Sequence, residues 1–133
     1  MSASACLASA STAPAFPFSA AVPAGGGVSL DSLLDLGGSH TYIVRAHGDG
    51  MTGAGIHDDD LLVVDRSLLA SAGEIVVAAV NGEPMVRRLG IIDGQFALLA
   101  ANDRYPAIRI AEGDELSIWG VVRWNLHRHA AGD

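Results

Sequence analysis

Asn81-Gly82 sits between two β-prone runs, and this dipeptide limits what the chain can fold into. An Asn-Gly pair supplies the two positive-φ residues of a type I′ turn, so the flanking runs are committed to an antiparallel hairpin. Before it, Ile75 to Val80 is apolar at every position, the pattern of a central strand buried on both faces. After it, Met85 to Leu89 is the return strand. Asp93-Gly94 marks a second hairpin, between Gly90-Ile91-Ile92 and Gln95 to Ala100. Thr41 to Ala46, Leu61 to Asp65, Ala107 to Ile110 and Leu116 to Trp124 read as further short strands. The fold class is mostly β: an antiparallel rolled-sheet or β-sandwich-like domain. One short helix precedes it. Ser29 is placed to cap that helix, Leu30, Leu33 and Leu34 share a face, Asp31 lies in its first turn, and Gly37-Gly38 stops it.

At 133 residues the chain has room for one domain, residues 28–133, behind a flexible arm of residues 1–27. The arm is rich in Ala and Ser, has an Ala24-Gly25-Gly26-Gly27 hinge, and holds one apolar spot, Phe16-Pro17-Phe18, a clip onto the domain or a docking or processing segment. It lacks the basic start and unbroken apolar run of a secretory signal and the arginines of a transit peptide, the first arginine of the chain being Arg45, so a cytoplasmic protein is expected. No apolar run approaches the roughly 20 residues that span a bilayer. The net charge of −7 speaks against DNA binding as the main activity, because wrapping nucleic acid takes a basic face. There is no lysine, which removes a lysine general base, Schiff base or P-loop. The single cysteine, Cys6, forms no internal disulfide and no cysteine-based zinc site. No cofactor is expected.

The stretch Gly48-Asp49-Gly50-Met51, followed by Asp60-Leu61-Leu62-Val63-Val64-Asp65, joins two strands through a glycine-rich turn and an acidic one. With Gly73-Glu74-Ile75-Val76, Asn81-Gly82-Glu83, Val86-Arg87-Arg88-Leu89 and Trp119-Gly120-Val121-Val122, it resembles the LexA/UmuD (peptidase S24-like) family of self-cleaving peptidases, nearest its UmuD branch. Each motif alone is weak; their order and spacing from Phe16 to Trp124 carry the resemblance.

The resemblance implies a serine nucleophile in a Gly-Asp-Ser-Met turn and a lysine general base on the strand after the Asn-Gly hairpin. A serine hydroxyl is a poor nucleophile until a base takes its proton, and a desolvated lysine can be that base. Here the nucleophile position is Gly50 and the base position is Arg87, whose guanidinium keeps its proton. Alignment on Phe16-Pro17 puts the former cleavage site at Pro14-Ala15, where proline restricts the backbone on the acyl side. Nucleophile, base and cleavage site are all altered, so a pseudo-peptidase is expected. Gly48, Asp49 and Met51 form the neighbourhood of the vestigial site.

The resemblance further implies a homodimer that serves as accessory subunit of an error-prone translesion polymerase in the bacterial SOS response. Its partners would be the polymerase catalytic subunit (UmuC-like) and the recombinase filament on single-stranded DNA, with no sequence-specific DNA binding of its own. Its arm would leave it either in the restrained state or in a state resembling the processed one. The scarcity of large apolar anchors besides Leu7 in residues 1–15 favours the second. One alternative is a LexA-like or phage-type repressor partner or decoy, although the arm encodes no helix-turn-helix. Another is a self-cleaving peptidase with a relocated nucleophile, Thr52 with His57 as base.

Other polar residues have plainer readings. Arg87 fills the vacated site and pairs with a carboxylate such as Asp49, or is a solvated strand arginine. Asp58, Asp59 and Asp60 read as a solvated turn rather than a cation loop. His127-Arg128-His129 reads as a frayed tail rather than a metal or phosphate site, and no metal is expected. Trp119 and Trp124, an odd number of steps apart, are expected on opposite faces, one in the core and the other open to a dimer interface.

Overall fold

The computed structural model describes residues 29–129. A short helix, α1 (Leu30–Leu34), leads into β1 (Thr41–Arg45), a 3-10 turn (Thr52–Ala54), β2 (Leu61–Asp65), β3 (Ile75–Val80), β4 (Glu83–Ile92), β5 (Gln95–Leu99), β6 (Ile108–Arg109) and β7 (Leu116–Leu126). The strands form one antiparallel sheet in the order β1-β2-β7-β3-β4-β5-β6. The expected fold class is what forms.

The hairpin turns explain the register. Asn81 and Gly82 both take positive φ (51° and 87°), as do Asp93 and Gly94 (53° and 78°), so each pair makes the two-residue turn its sequence requires. Val80 then faces Glu83, and Ile92 faces Gln95. The two return segments expected as separate strands are one continuous strand. Residues 83–88 of β4 pair with β3, and residues 88–92 pair with β5.

β7 rolls the sheet. Its first half pairs with β3 and its second half with β2, changing partner around Val121. Two bulges help it turn: Trp119 is the extra residue opposite Val77/Ala78, and Arg123 the extra residue opposite Val63/Val64. Gly120 sits at this corner. A Cβ there would stand 2.5 Å from Val64 Cγ1 and 2.9 Å from the Asp65 carbonyl oxygen, so only glycine fits. The bulges also overturn the tryptophan reading. Trp119 and Trp124 are both about half exposed (45% and 43%), and neither is core, because each bulge resets the alternation that odd spacing assumes.

Rolling gives β3 two buried faces. Val77 packs in one cluster with Ala46, Met51, Ile56, Leu62 and Val64. Val76 and Ala78 pack in the other with Leu89, Leu98 and Val121. The all-apolar run at Ile75–Val80 is the central strand its composition implies.

Three local expectations are corrected. Ser29 is the N-cap residue of α1 but makes no side-chain cap bond. The helix ends at Asp35, in the left-handed conformation, before Gly37-Gly38 is reached. Leu30 and Leu33 are exposed and only Leu34 is buried, since five residues make too little helix to bury a stripe. The arm, with Cys6, Pro14, Ala15 and Phe16-Pro17-Phe18, lies outside the described residues.

Candidate functional site: the Gly50–Arg87 contact

The loop joining β1 to β2 is closed at its neck. Ala46 N–H donates to the Asp60 carbonyl (2.8 Å) and Asp59 N–H to the Ala46 carbonyl (2.8 Å). Asp58 accepts the Gly48 N–H at 2.7 Å, and Asp59 pairs with Arg45 at 3.1 Å. Met51 and Ile56 anchor the loop in the first core cluster. Within this frame Gly50 is buried, and its φ lies outside the left-handed region.

Gly50 points at Arg87. A Cβ built on it would stand 2.7 Å from Arg87 Nη1, 2.9 Å from Cζ and 3.1 Å from Nη2. The guanidinium therefore occupies the space into which any side chain at position 50 would project. Arg87 reaches it from β4, where it pairs with Val76 of β3. Two residues 37 apart in sequence are thus brought into contact by the Asn81-Gly82 hairpin and the fold of the loop onto β3 and β4.

Arg87 is half-buried and donates Nη1 to the Val86 carbonyl at 2.7 Å. Its guanidinium carbon lies 5.6 Å from the centre of the Tyr105 ring, within cation–π range. Among the described residues no carboxylate lies within 4 Å of it. Arg87 thus fills the space in front of Gly50, as the first of the expected alternatives has it, but the direct Asp49 pair is replaced by an indirect link. The Tyr105 hydroxyl donates to the Asp49 carboxylate, so the tyrosine bridges cation and carboxylate. That bond, with the Arg104 cation 3.6 Å away, holds the Asp49 carboxyl below the usual range. The same bond to a carboxylate raises the Tyr105 phenol.

The segment after β5 completes the site. Ala101 N–H donates to the Gly50 carbonyl (2.8 Å), Gly53 N–H donates to the Ala101 carbonyl (2.7 Å), and Asn102 Nδ2 donates to the Asp49 carbonyl (2.8 Å). An open groove lined by Thr52, Gly53, Ala101 and Asn102 runs along this side. Sequence reasoning missed Ala101, Asn102, Arg104 and Tyr105. Their only signal is a polar turn, Asn102-Asp103-Arg104-Tyr105-Pro106, whose destination is a tertiary matter.

The relocated nucleophile does not assemble. Thr52 donates its hydroxyl to the Asp49 carbonyl at 3.3 Å, while His57 stacks beside His127 with ring centres 4.9 Å apart. The solvated-turn reading holds for Asp58 and Asp59 and fails for Asp60, which is 1% exposed. Asp60 accepts bonds from His57 N–H (2.9 Å), Asn125 Nδ2 (3.1 Å) and His127 Nδ1 (2.6 Å). Burial pushes its pKa up, but these hydrogen bonds outweigh burial, and the carboxyl titrates below its ordinary value. His127 is thereby fastened, which corrects the frayed-tail reading at that residue.

Comparison with known proteins gives this geometry a family. Residues 10–123 match the Peptidase S24-like family. The chain is 42% identical over 92 residues to protein MucA of Salmonella typhimurium, a match covering 68% of this chain and 62% of MucA. It is 40% identical over 93 residues to protein SamA of the same species, covering 70% of this chain and 64% of SamA. It is 41% identical over 81 residues to the LexA repressor of Alcanivorax borkumensis, covering 61% of this chain and 39% of that repressor. The chain thus spans somewhat under two thirds of the length of the curated relatives it matches. With its antiparallel rolled sheet and a family match over most of its length, the chain belongs to the peptidase S24-like family, of the LexA/UmuD type.

Proposed function

We propose that this S24-like chain is catalytically silent and works by binding, as a UmuD-like accessory subunit of an error-prone translesion polymerase in the SOS response. The observation that carries the silent reading is the Gly50–Arg87 contact. The two positions aligned with the family's nucleophile and base are neighbours in space, as a dyad must be. One carries no side chain, and the other carries a cation that keeps its proton. Pro14-Ala15 at the aligned cleavage position agrees with this reading.

The binding role follows from the resemblance: a homodimer in the cytoplasm, with residues 28–133 as its body. Its partners are the polymerase catalytic subunit and the recombinase filament on single-stranded DNA, without sequence-specific DNA contact. Its support over a repressor role is that MucA and SamA match over 92 and 93 residues at 42% and 40% identity, against 81 residues at 41% for the Alcanivorax LexA repressor. The test is co-elution of the purified full chain with a translesion polymerase catalytic subunit from the same genome. Sedimentation of the free chain is measured alongside. A dimer that captures the subunit uncleaved is the expected result; a monomer that passes the subunit by overturns the reading.

A further inference from the structure

A groove opens on the face of β2 turned away from the Gly50 loop. Side chains alternate across a strand. Leu62 and Val64 join Met51 in the first core cluster, while Val63 and Asp65 turn to the opposite side. There α1, β2 and β7 border a space of about 330 Å³, with Leu33, Val63, Leu68 and Trp124 as apolar walls. Leu33, Leu68 and Trp124 are exposed, although each is large and apolar. A cavity of about 150 Å³ accepts one benzene molecule, so this groove has room for two phenyl rings. Asp35, Asp65 and Arg123 stand at its rim.

The chain itself carries a match for it. Two of its three phenylalanines flank one proline, in Phe16-Pro17-Phe18. Residues 1–27 hold no Asp, Glu, Lys, Arg or His, so the whole net charge of −7 rests on residues 28–133. An uncharged segment meets no repulsion from the rim carboxylates, whereas an acidic partner does. Proline presets its own φ and restricts the residue before it to extended backbone, which lowers the cost of seating the pair. Phe18 stands twelve residues before Leu30, where α1 begins, and Leu33 of that helix is a wall of the groove. Twelve residues reach about 40 Å at full extension and average roughly 20 Å as a glycine-rich coil, so the tether brings the pair back to Leu33 with slack.

We propose that Phe16 and Phe18 of the chain's own arm seat in this groove, against Leu33, Leu68 and Trp124. So short a tether gives an effective concentration in the millimolar range, so a segment with a Kd of about 0.1 mM fills the groove roughly 90% of the time. The seat also places the aligned cleavage position. Pro14-Ala15 lies within two residues, or roughly 7 Å, of Phe16, whereas packed layers stand about 10 Å apart. The docked arm therefore holds that bond on the face of β2 opposite the Gly50 loop. A restored dyad meets it only in the undocked fraction or on another copy. This seat is independent of the silent-subunit reading, because its occupancy is read without cleavage.

The test uses the full chain with Trp119→Phe, which leaves Trp124 as the one tryptophan, beside the same chain with Phe16→Ala and Phe18→Ala. The arm substitutions touch no residue of the two core clusters. With the groove filled most of the time, acrylamide should quench Trp124 at least about twofold less in the chain that keeps both phenylalanines. NMR signals of the Leu33 and Leu68 methyls and of Trp124 Nε1–H should differ between the two chains, and those of Gly50 and Tyr105 should not. Leu68→Ser, at an exposed position, should remove the difference. Equal quenching in the two chains overturns the seat, as do differences centred on Gly50 and Tyr105. Isotope-labelled Phe16→Ala/Phe18→Ala chain is also mixed with unlabelled chain that keeps both phenylalanines. Groove signals that stay in place are expected. Signals that move to the docked positions put a second copy's arm in the groove and overturn docking within one chain.

Discussion

Placing a methyl group at Gly50 tests the contact on which the functional reading rests. In Gly50→Ala the new Cβ stands 2.7 Å from Arg87 Nη1 and 2.9 Å from Cζ, about 0.8 Å inside an ordinary contact. The backbone need not move, because the φ of Gly50 is open to alanine. The guanidinium must swing away, giving up its bond to the Val86 carbonyl and its place over Tyr105. The bond is worth about 0.5–1.5 kcal/mol and the cation–π contact about 0.5–1 kcal/mol. Against this, alanine lowers the entropy of the unfolded chain by the equivalent of about 0.4–1 kcal/mol. The net expectation is destabilisation by about 1 kcal/mol, or a Tm lower by roughly 4–8 °C for a domain of about 100 residues. In an Arg87→Ala background nothing is displaced, and the same change should be neutral or stabilising by a few tenths of a kcal/mol. Urea unfolding of the four proteins at one concentration yields a coupling energy of about 1–2 kcal/mol. An equal effect of Gly50→Ala in both backgrounds would show that the guanidinium does not fill the space in front of position 50.

Gly120→Ala should be more damaging than Gly50→Ala, by about 1–3 kcal/mol or more. Its Cβ meets backbone at Asp65 as well as Val64, and denaturant midpoints would reveal the difference. Asp60→Asn removes a buried charge from three donors and should destabilise by about 1–3 kcal/mol, read by thermal melting. The carboxyls of Asp49, Asp60, Asp65 and Asp114 all titrate below their ordinary value when folded. Their stabilisation is therefore complete above the unfolded pKa of about 3.9 and is lost as pH falls through the folded values, so Tm should drop steeply below about pH 4. Tyr105→Phe removes the hydrogen bond that does most to lower the Asp49 carboxyl, so carboxyl NMR titration of that variant should show Asp49 moving up towards the ordinary range.

The strands and their turns were legible because each is written locally. Asn81-Gly82 and Asp93-Gly94 carry their own φ requirements, and Ile75–Val80 carries its own burial. The bulges in β7 were not legible. Trp119 and Arg123 look like ordinary strand residues, and only the change of partner at Val121 makes each an extra one. At the site, the motif order placed Gly50 and Arg87 together, and the fold brings them into contact. The Tyr105 bridge and the burial of Asp60 were not legible. Each depends on segments 56 to 67 residues away in sequence, and a carboxylate in an Asp-Asp-Asp run shows nothing of which oxygen faces inward.

The central claim is that no peptide bond is cut by this chain, and intact mass tests it most directly. The full chain is incubated at length at alkaline pH, and separately with an activated recombinase filament, beside the variant Gly50→Ser/Arg87→Lys with and without replacement of Pro14. An unchanged mass for the unsubstituted chain is expected, with cleavage returning only when Pro14 is also replaced. A clean cut of the unsubstituted chain within residues 10 to 28 would contradict the account and make Thr52 the first nucleophile to test.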